Sequence, residues 1–229
     1  MKIALIGYGK MGQAIERTAL AIGHEVVARI TSANTLEMSR LNVLGAEVAI
    51  EFSRPETAFD NIKTCIEQGI PVICGTTGWL DKAGDIKELT AKFDGAFLYA
   101  SNFSLGVNIF FALNRHLARL LAPFDEYQPN VHEVHHIHKL DSPSGTAKTI
   151  AEDLQQCLQR ISDINITADR VGEVPGTHIV TYSSAVDTIE IKHEAHNREG
   201  FAKGAVVAAD WIRGKKGFFT MNDVLSIRK

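Results

Sequence analysis

Buried strand patterns and helical patterns alternate along residues 1–99, and this alternation constrains the fold more than any other feature of the sequence. The apolar segments are KIALI, HEVVARI, AEVAIEF, IPVICG and GAFLYA. Between them, residues 10–22, 55–68 and 81–93 have the spacing of amphipathic helices. Because parallel strands need a helical crossover, this repeated alternation predicts a Rossmann-type, doubly wound parallel sheet with helices on both faces.

After residue 103 the pattern changes. Residues 105–121 have the spacing of a long helix, PNVHEVHHIHKL is typical of a strand, and a second helix is predicted from residue 146 to about 160. The stretches INITADRVG, THIVTYSS and DTIEIKHEAH then follow one another as strands. Strands that follow strands predict an open mixed or largely antiparallel sheet. We therefore expect a first domain over residues 1–103 and a second over 104–204.

Composition excludes several classes of partner. The formal net charge of -3 gives no general attraction to nucleic acid. The apolar runs are short and interrupted, so no segment is predicted to span a membrane.

Cys65, Cys74 and Cys157 are widely separated and form no CxxC pair, which favours reduced thiols in a reducing compartment. The chain starts directly with a strand pattern rather than a signal peptide, so a cytoplasmic location is expected.

The segment LIGYGKMG follows the first strand and opens the first helix, and its glycines fit the pattern G-x-G-x-x-G. Gly7 permits a tight turn, Gly9 lets the backbone approach a pyrophosphate, and Gly12 lets the helix pack close to the strand. The helix start at Lys10 and Met11 offers unpaired N–H groups to phosphates. The strand before and the helix after favour a dinucleotide site, and a purely structural glycine turn is the alternative.

The second strand ends without the acidic residue that binds the adenosine ribose in many dinucleotide sites. Lys10, Arg29, Thr31 and Ser32 lie near that position instead. These groups suit a 2′-phosphate and favour NADPH slightly over NADH. Solvated surface charges are the alternative interpretation of Lys10 and Arg29.

Two further loops follow the predicted fourth and fifth strands, where parallel sheets bind ligands. The segments are CGTTG and ASNF, and each alone is typical of an ordinary turn. Their glycines allow close backbone approach, and their hydroxyl and amide groups can bind a nicotinamide or a ribose. The candidate cofactor contacts are Gly75, Thr76, Thr77, Ala100, Ser101, Asn102 and Phe103.

The segment VHEVHHIHKLDSPSGTA concentrates histidines beside a turn of small residues. A metal site would use His132, His136 and His138, but same-face residues of a straight strand lie about 7 Å apart and do not converge, so no metal is expected. The sharper hypothesis is an acid or anion-binding role for His135, His136 and Lys139.

The neighbouring segment SPSGTA begins the second helix of this region. Ser144 or Ser142 can cap that helix, and its first N–H groups, with the Thr146 hydroxyl, can hold a carboxylate. A histidine and a lysine beside such an anion site suit a small dicarboxylate that must receive a proton.

At these residues the chain resembles the dihydrodipicolinate reductase family, whose members are also called 4-hydroxy-tetrahydrodipicolinate reductases. The resemblance rests on EVHHIHKLDSPSGTA, which carries the specificity. GYGKMG, GTTG, ASNFSLGVN and the final KGAVVAADWI and GFFTMNDVL also occur in family order, so the resemblance covers essentially the whole chain.

The resemblance implies reduction of a cyclic unsaturated dicarboxylate by NADPH or NADH in lysine and diaminopimelate biosynthesis. It implies that His135 is the proton donor, that Lys139 is the catalytic lysine, and that His136, Gly145 and Thr146 contact the substrate, with Ser144 beside them. It also implies cofactor contacts in the three loops named above. A homotetramer built through the β-rich domain and a return of residues 205–229 to the nucleotide domain are further implications.

Two other functions remain as alternatives. One is a different small-acid dehydrogenase on the same two-domain plan, against which the SPSGTA segment beside HHxxK argues. The other is a non-catalytic NAD(P)H-binding sensor, which needs the glycines but has no need of the histidine and lysine. Turnover distinguishes an enzyme from a sensor.

The spacing of His135 and Lys139 carries its own prediction. On one continuous straight strand they would share a face but lie about 13 Å apart. Pro143 ahead disfavours a continued ladder, because proline lacks the N–H donor. We therefore predict that the strand stops before Lys139 and that both side chains point into a cleft facing the nicotinamide.

Overall fold

The computed structural model describes residues 1–197 and 199–227, and the contacts of the chain divide it into two compact units. The first unit is Met1–Leu105 with Glu199–Lys229, and the second is Gly106–Arg198. In chain order the strands are β1 Lys2–Ile6, β2 Glu25–Ile30, β3 Val48–Glu51, β4 Val72–Cys74, β5 Ala96–Tyr99, β6 Gln128–His135, β7 Asn165–Arg170, β8 Gly176–Ser183, β9 Thr188–Ala195 and β10 Gly217–Phe219. The helices are α1 Lys10–Ala21, α2 Pro55–Glu67, α3 Ala83–Lys92, α4 Leu105–Leu121, α5 Gly145–Cys157, α6 Glu199–Ile212 and α7 Met221–Val224.

The first unit is built on a parallel sheet with the strand order β10-β5-β4-β3-β1-β2. Alternate residues of β1 face opposite sides. Ile3 and Leu5 join the apolar cluster that includes α1 and α6, whereas Ala4 and Ile6 join the cluster that includes α2 and α3. Both faces are therefore covered by helices, which confirms the predicted Rossmann-type sheet.

The end of the chain adds to this sheet. Helix α6 packs in the first unit, and β10 pairs in parallel with β5 at the sheet edge. No strand was predicted in GFFTMNDVL from the sequence. A strand of three residues is too short to show a periodic pattern, and only its partner β5 reveals it.

The second unit contains a mixed sheet with the strand order β7-β6-β8-β9. Strand β8 is antiparallel to both neighbours, whereas β6 and β7 are parallel because α5 connects them. Val131, Val180 and Tyr182 from this sheet pack against α4 and α5. The mixed sheet predicted for the second domain is thus confirmed, and along β9 every second side chain is exposed.

Cys65, Cys74 and Cys157 form no disulfide. Burial raises the pKa of the thiols of Cys65 and Cys74 far above the ordinary range. These two side chains therefore act as small core residues rather than nucleophiles. Among the described residues, none of the helices has the length and apolar character needed to cross a bilayer.

Candidate active site

The glycine loop lies between β1 and α1 in the first unit. Gly7 has a φ of +89°, and a Cβ there would lie 2.1 Å from the carbonyl oxygen of Phe52. A Cβ at Gly12 would lie 2.3 Å from the carbonyl oxygen of Gly7. At Gly9 a Cβ would meet nothing within 4 Å. The fold therefore requires glycine at positions 7 and 12, whereas the open space at Gly9 fits the approach of a phosphate.

Helix α1 begins at Lys10, and its N-cap, Gly9, has no side chain to bind the first N–H groups. Such an uncapped helix start next to open space suits an anion. Lys10 and Met11 stand in this first turn, as the sequence predicts.

The end of β2 is occupied by a small polar cluster. The guanidinium of Arg29 bonds the carboxylate of Glu16 on α1, and the Tyr8 hydroxyl also donates to Glu16. The hydrogen bond from Arg29 holds the pKa of Glu16 below its ordinary value. Arg29 is thus already paired with an anion, a feature that the sequence analysis missed because Glu16 comes from α1 rather than from β2.

Thr31, the other candidate at this end of β2, takes part in a tight turn. The side-chain oxygen of Asn34 accepts hydrogen bonds from the Thr31 N–H at 2.7 Å and from the Thr31 hydroxyl at 3.0 Å. The hydroxyl of Thr31 is therefore engaged locally.

The loops after β4 and β5 lie at the same edge of the sheet as the glycine loop. The Thr76 hydroxyl is buried and accepts from the N–H of Ser53 at 2.9 Å, while Thr77 is exposed. A Cβ at Gly75 would overlap the Phe52 ring at 2.2 Å. Gly75 and Thr76 thus hold the loop in shape, which leaves Thr77 as the exposed hydroxyl.

In the loop after β5, the exposed residue is Ser101, whereas Ala100 is buried. The side-chain oxygen of Asn102 accepts from the N–H of Ser104 at 2.8 Å. The Phe103 side chain is buried against Phe52, with the ring centroids 5.5 Å apart. Only the backbone of Phe103 therefore remains for a ligand.

In the second unit, β6 ends at His135, and a turn follows in which the N–H of Lys139 donates to the carbonyl of His136 at 3.1 Å. This confirms the prediction that the strand stops before Lys139. The Lys139 ammonium lies 2.6 Å from the carboxylate of Asp141 and holds the pKa of Asp141 below its ordinary value. His135 is buried, with a relative exposure of 6%.

Glu133, which precedes His135 on the same face of β6, is fully buried. One of its oxygens, Oε2, lies 3.6 Å from Nδ1 of His135 and 3.6 Å from Nε2 of His178. The other, Oε1, accepts from the N–H of Ser144 at 3.1 Å and lies 3.3 Å from the guanidinium of Arg170. Side chains alternate along a strand, so Glu133 and His135 share a face of β6. The sequence alone gave Glu133, His178 and Arg170 no role.

Helix α5 begins beside this cluster. Ser144 is its N-cap, and the buried Ser144 hydroxyl accepts from the N–H of Ala147 at 3.1 Å. The same hydroxyl lies 3.3 Å from Nε2 of His178. Gly145 and Thr146, by contrast, stand in the first turn of the helix and are exposed and half-buried. The capping role predicted for Ser144 is confirmed, and Gly145 and Thr146 remain accessible at the helix start.

The pKa values in this cluster follow from burial and neighbouring charge. Burial lowers the pKa of His178 to about 4, and that of His135 in the same direction. Burial tends to raise the pKa of Glu133, but the hydrogen bonds from Ser144, together with the positive charge of the two histidines when they are protonated, outweigh it and lower the pKa. At neutral pH, Glu133 is therefore ionised and His178 neutral.

The histidines considered for a metal site do not converge. The His132 ring contacts the hydroxyl of Thr167 at 2.8 Å, and the His138 ring lies 3.4 Å from Glu173. Among the described residues, the ligand atoms that could chelate a cation belong instead to Glu133, His135 and His178, and lie within 4.8 Å of one another. The guanidinium beside Glu133 already supplies a positive charge there.

The first unit has a Rossmann-type sheet with a phosphate-compatible glycine loop, and the second has a buried histidine and a lysine near a helix start. These features define a pyridine-nucleotide-dependent reductase. Residues 1–103 match the family described as dihydrodipicolinate reductase, N-terminus, and residues 106–225 match dihydrodipicolinate reductase, C-terminus. The chain belongs to the dihydrodipicolinate reductase family, whose members use NAD(P)H.

Relatives match over nearly the full length. The chain is 48% identical over 236 residues to the 4-hydroxy-tetrahydrodipicolinate reductase of Christiangramia forsetii, which covers 99% of this chain and 98% of that protein. It is 35% identical over 261 residues to the enzyme of the same name from Archaeoglobus fulgidus, covering 98% of this chain and 100% of that one. Among solved structures, a dipicolinate-bound dihydrodipicolinate reductase from Paenisporosarcina sp. TG-14 shares the fold, with a TM-score of 0.82 at 19% identity, covering 97% of this chain and 98% of that one.

Proposed function

We propose that the site described above performs the reaction of the family, with His135 as its proton donor and Lys139 as its charge-stabilising group. The reaction is the NAD(P)H-dependent reduction of 4-hydroxy-tetrahydrodipicolinate to tetrahydrodipicolinate in lysine and diaminopimelate biosynthesis. The observation that supports the site assignment most is the buried His135 at the end of β6, with Lys139 in the turn that follows.

The roles follow from the chemistry of the side chains. The 4-hydroxyl of the substrate first leaves as water, which produces a ring with a C=C bond conjugated to the C=N bond. NAD(P)H, when bound, supplies a hydride to the electron-poor carbon of that C=C bond. Lys139 stabilises the negative charge that develops on the ring-nitrogen side. His135, as imidazolium, gives its proton to the adjacent carbon.

Substrate binding uses the start of α5. The N–H groups of Gly145 and Thr146 and the Thr146 hydroxyl bind one carboxylate of a dicarboxylate such as the dipicolinate bound in the Paenisporosarcina enzyme. His136 contacts the same ligand. Ser144 contributes through the helix cap, because its hydroxyl already serves Ala147.

The test is substrate-dependent oxidation of the nucleotide, followed by nicotinamide absorbance with freshly generated 4-hydroxy-tetrahydrodipicolinate. Oxidation of NADH or NADPH that requires this substrate supports the proposal. A protein that binds either nucleotide tightly but oxidises neither in the presence of the substrate would instead be a sensor.

Both NADH and NADPH bind at the Gly7–Gly12 loop in this proposal, with Lys10, Arg29 and Thr31 near the adenosine ribose and Thr77 and Ser101 near the nicotinamide. Arg29 can attract a 2′-phosphate only in competition with Glu16, to which it is bonded. Preference for NADPH therefore depends on how strongly Glu16 holds the guanidinium.

Replacing Glu16 by glutamine is expected to raise the affinity for NADPH relative to NADH by about two- to fivefold, the usual effect of one partly exposed ion pair. The guanidinium of Arg29 then keeps a full charge for the phosphate. Fluorescence titration with each nucleotide measures the ratio. The control is Glu25→Gln, which makes the same charge change at the exposed start of β2, the strand that carries Arg29. It should leave the ratio of the two affinities unaltered. An equal change for both nucleotides in Glu16→Gln would contradict this role of Arg29.

We further propose a homotetramer formed through the sheet of about residues 129–196, in a cytoplasmic enzyme. Every second side chain of β9 is exposed, so the sheet offers a surface for another copy. Sedimentation velocity at micromolar concentration is expected to show four associated chains. A stable monomer at that concentration would refute the assembly.

A further inference from the structure

Strand pairing brings distant residues of the second unit to one place. In the parallel pair of β6 and β7, His135 lies opposite Arg170. In the antiparallel pair of β6 and β8, Glu133 lies opposite His178. The sheet therefore collects a carboxylate, a guanidinium and a second imidazole around His135, the residue to which we assign proton donation.

Glu133 is the centre of this group. Its side chain has no exposed surface, and a buried carboxylate is costly unless it is paired and hydrogen-bonded. The Ser144 N–H and the Arg170 guanidinium supply that pairing at 3.1 and 3.3 Å. The remaining oxygen, Oε2, faces Nδ1 of His135 at 3.6 Å.

Nδ1 of His135 is buried and has no hydrogen-bond partner among the described residues. A small approach of the ring toward Glu133 would close the 3.6 Å gap to a charge-assisted hydrogen bond when Nδ1 carries a proton. The carboxylate therefore stabilises the imidazolium more than the neutral ring. It also fixes which nitrogen faces inward.

Arg170 connects the same carboxylate to the segment that carries Lys139. Its guanidinium donates to the carbonyl of Asp141 at 2.6 Å and to the carbonyl of Lys139 at 3.3 Å. The planar guanidinium presents its N–H donors in a rigid fork that reaches acceptors on different sides, whereas the donors of a lysine all lie on one compact ammonium. The position of the Lys139 backbone is thus tied to Glu133.

We propose that Glu133 and Arg170 are positioning residues. Glu133 orients the His135 ring and stabilises its protonated form, and Arg170 holds the turn that carries Lys139 to the same carboxylate. The proposal deepens the function proposed above and rests on it. Neither residue is assigned contact with substrate.

The charges around His135 decide the direction of a pH test. The groups that face or act on it come from β6, β7, β8 and the following turn: Glu133, His136, Lys139, Arg170 and His178. Burial, Lys139, Arg170 and His136 lower the pKa of His135, whereas Glu133 raises it. His178 is neutral at neutral pH because burial lowers its pKa to about 4. Removing the charge of Glu133 must therefore lower the pKa of His135 further.

Glu133→Gln tests this consequence. An acid catalyst works while protonated, so kcat/KM falls as pH rises through its pKa. In Glu133→Gln that fall should begin about one pH unit lower, which reduces kcat/KM at neutral pH about tenfold. At low pH the variant should regain most of the parental value. If kcat/KM were instead reduced equally at every pH, and its fall still began at the parental pH, Glu133 would have a structural role and the proposal would be overturned.

Glu133→Asp keeps the charge but withdraws it by one methylene. The fall in its kcat/KM should begin at a pH between those of the parent and Glu133→Gln. This variant decides the question if Glu133→Gln does not fold. If kcat/KM in Glu133→Asp kept its parental value and began to fall at the parental pH, the role of Glu133 would be overturned.

The pKa of His135 can also be read without turnover, by NMR titration of its ring protons in the parent and in the Glu133 variants. A lower pKa in the variants supports the positioning role even if the parent reduces no substrate. Equal pKa values in an active parent would overturn it while leaving the proposed function intact.

Arg170→Lys tests the second half of the proposal. Lysine keeps the positive charge but has one nitrogen in place of the fork that reaches Glu133 and both carbonyls. The turn should therefore be held less firmly, and kcat should fall roughly tenfold through misplacement of Lys139. The pH at which kcat/KM begins to fall should not change, because the charge near His135 is retained. An unchanged kcat would remove Arg170 from the positioning role.

Discussion

Replacing His135 by alanine is expected to lower turnover by at least roughly a hundredfold, the usual effect of losing a positioned general acid. His135 is buried at the end of β6 with the carboxylate of Glu133 beside its Nδ1, a setting that suits a proton donor. Lys139→Ala is expected to cause a loss of similar size, because a charge that stabilises developing negative charge disappears. Steady-state kinetics with each nucleotide measure both changes.

Nucleotide binding should survive both substitutions, because the Gly7–Gly12 loop belongs to the other compact unit. His138→Ala is the matched control, since the His138 side chain lies in the same turn but is 71% exposed and faces Glu173. It should keep near-parental turnover. Parental turnover in His135→Ala or Lys139→Ala, with the melting temperature unchanged, would remove that residue from the mechanism.

Replacing Gly9 by valine is expected to weaken the binding of both nucleotides by about ten- to a hundredfold, the effect of forcing extra methyl groups into an occupied space. The φ of Gly9 is -81°, which any residue adopts, and a Cβ there meets nothing within 4 Å. The fold should therefore tolerate valine, but the valine side chain would occupy the space that the pyrophosphate needs. Titration calorimetry with NADH and NADPH gives the two affinities.

Gly84→Val controls for the insertion of valine at an open glycine. A Cβ at Gly84, in α3, also meets nothing within 4 Å, and Gly84 is not a candidate cofactor contact. This variant should bind both nucleotides like the parent. If Gly9→Val also binds them as tightly as the parent, the pyrophosphate lies elsewhere.

The fold could be predicted largely because its signals are local. Apolar runs separated by helical spacing led to the parallel sheet, and the strands of the second unit appeared as separate β-rich stretches. The parallel pairing of β6 with β7 was not anticipated, although α5 between them is the crossover that parallel strands need. Strand β10 was missed because three residues carry no period.

The candidate site was less predictable, because much of it depends on strand register. Alternation along β6 placed Glu133 on the face of His135, so one partner was visible in the sequence. Arg170 and His178 reach that face only through the pairing of β7 and β8 with β6, which the local pattern of a single sequence does not specify. Glu16 was missed for a similar reason, since it approaches Arg29 from a helix.

Isotope transfer tests the central claim most directly. The enzyme is supplied with 4-hydroxy-tetrahydrodipicolinate and with NADH or NADPH that carries deuterium at the transferable position of the nicotinamide C4, and the product is analysed by mass spectrometry. The account predicts tetrahydrodipicolinate that has gained one deuterium from the nucleotide, formed far more slowly by His135→Ala. Product without deuterium, or nucleotide that remains unoxidised while the substrate is present, would contradict it.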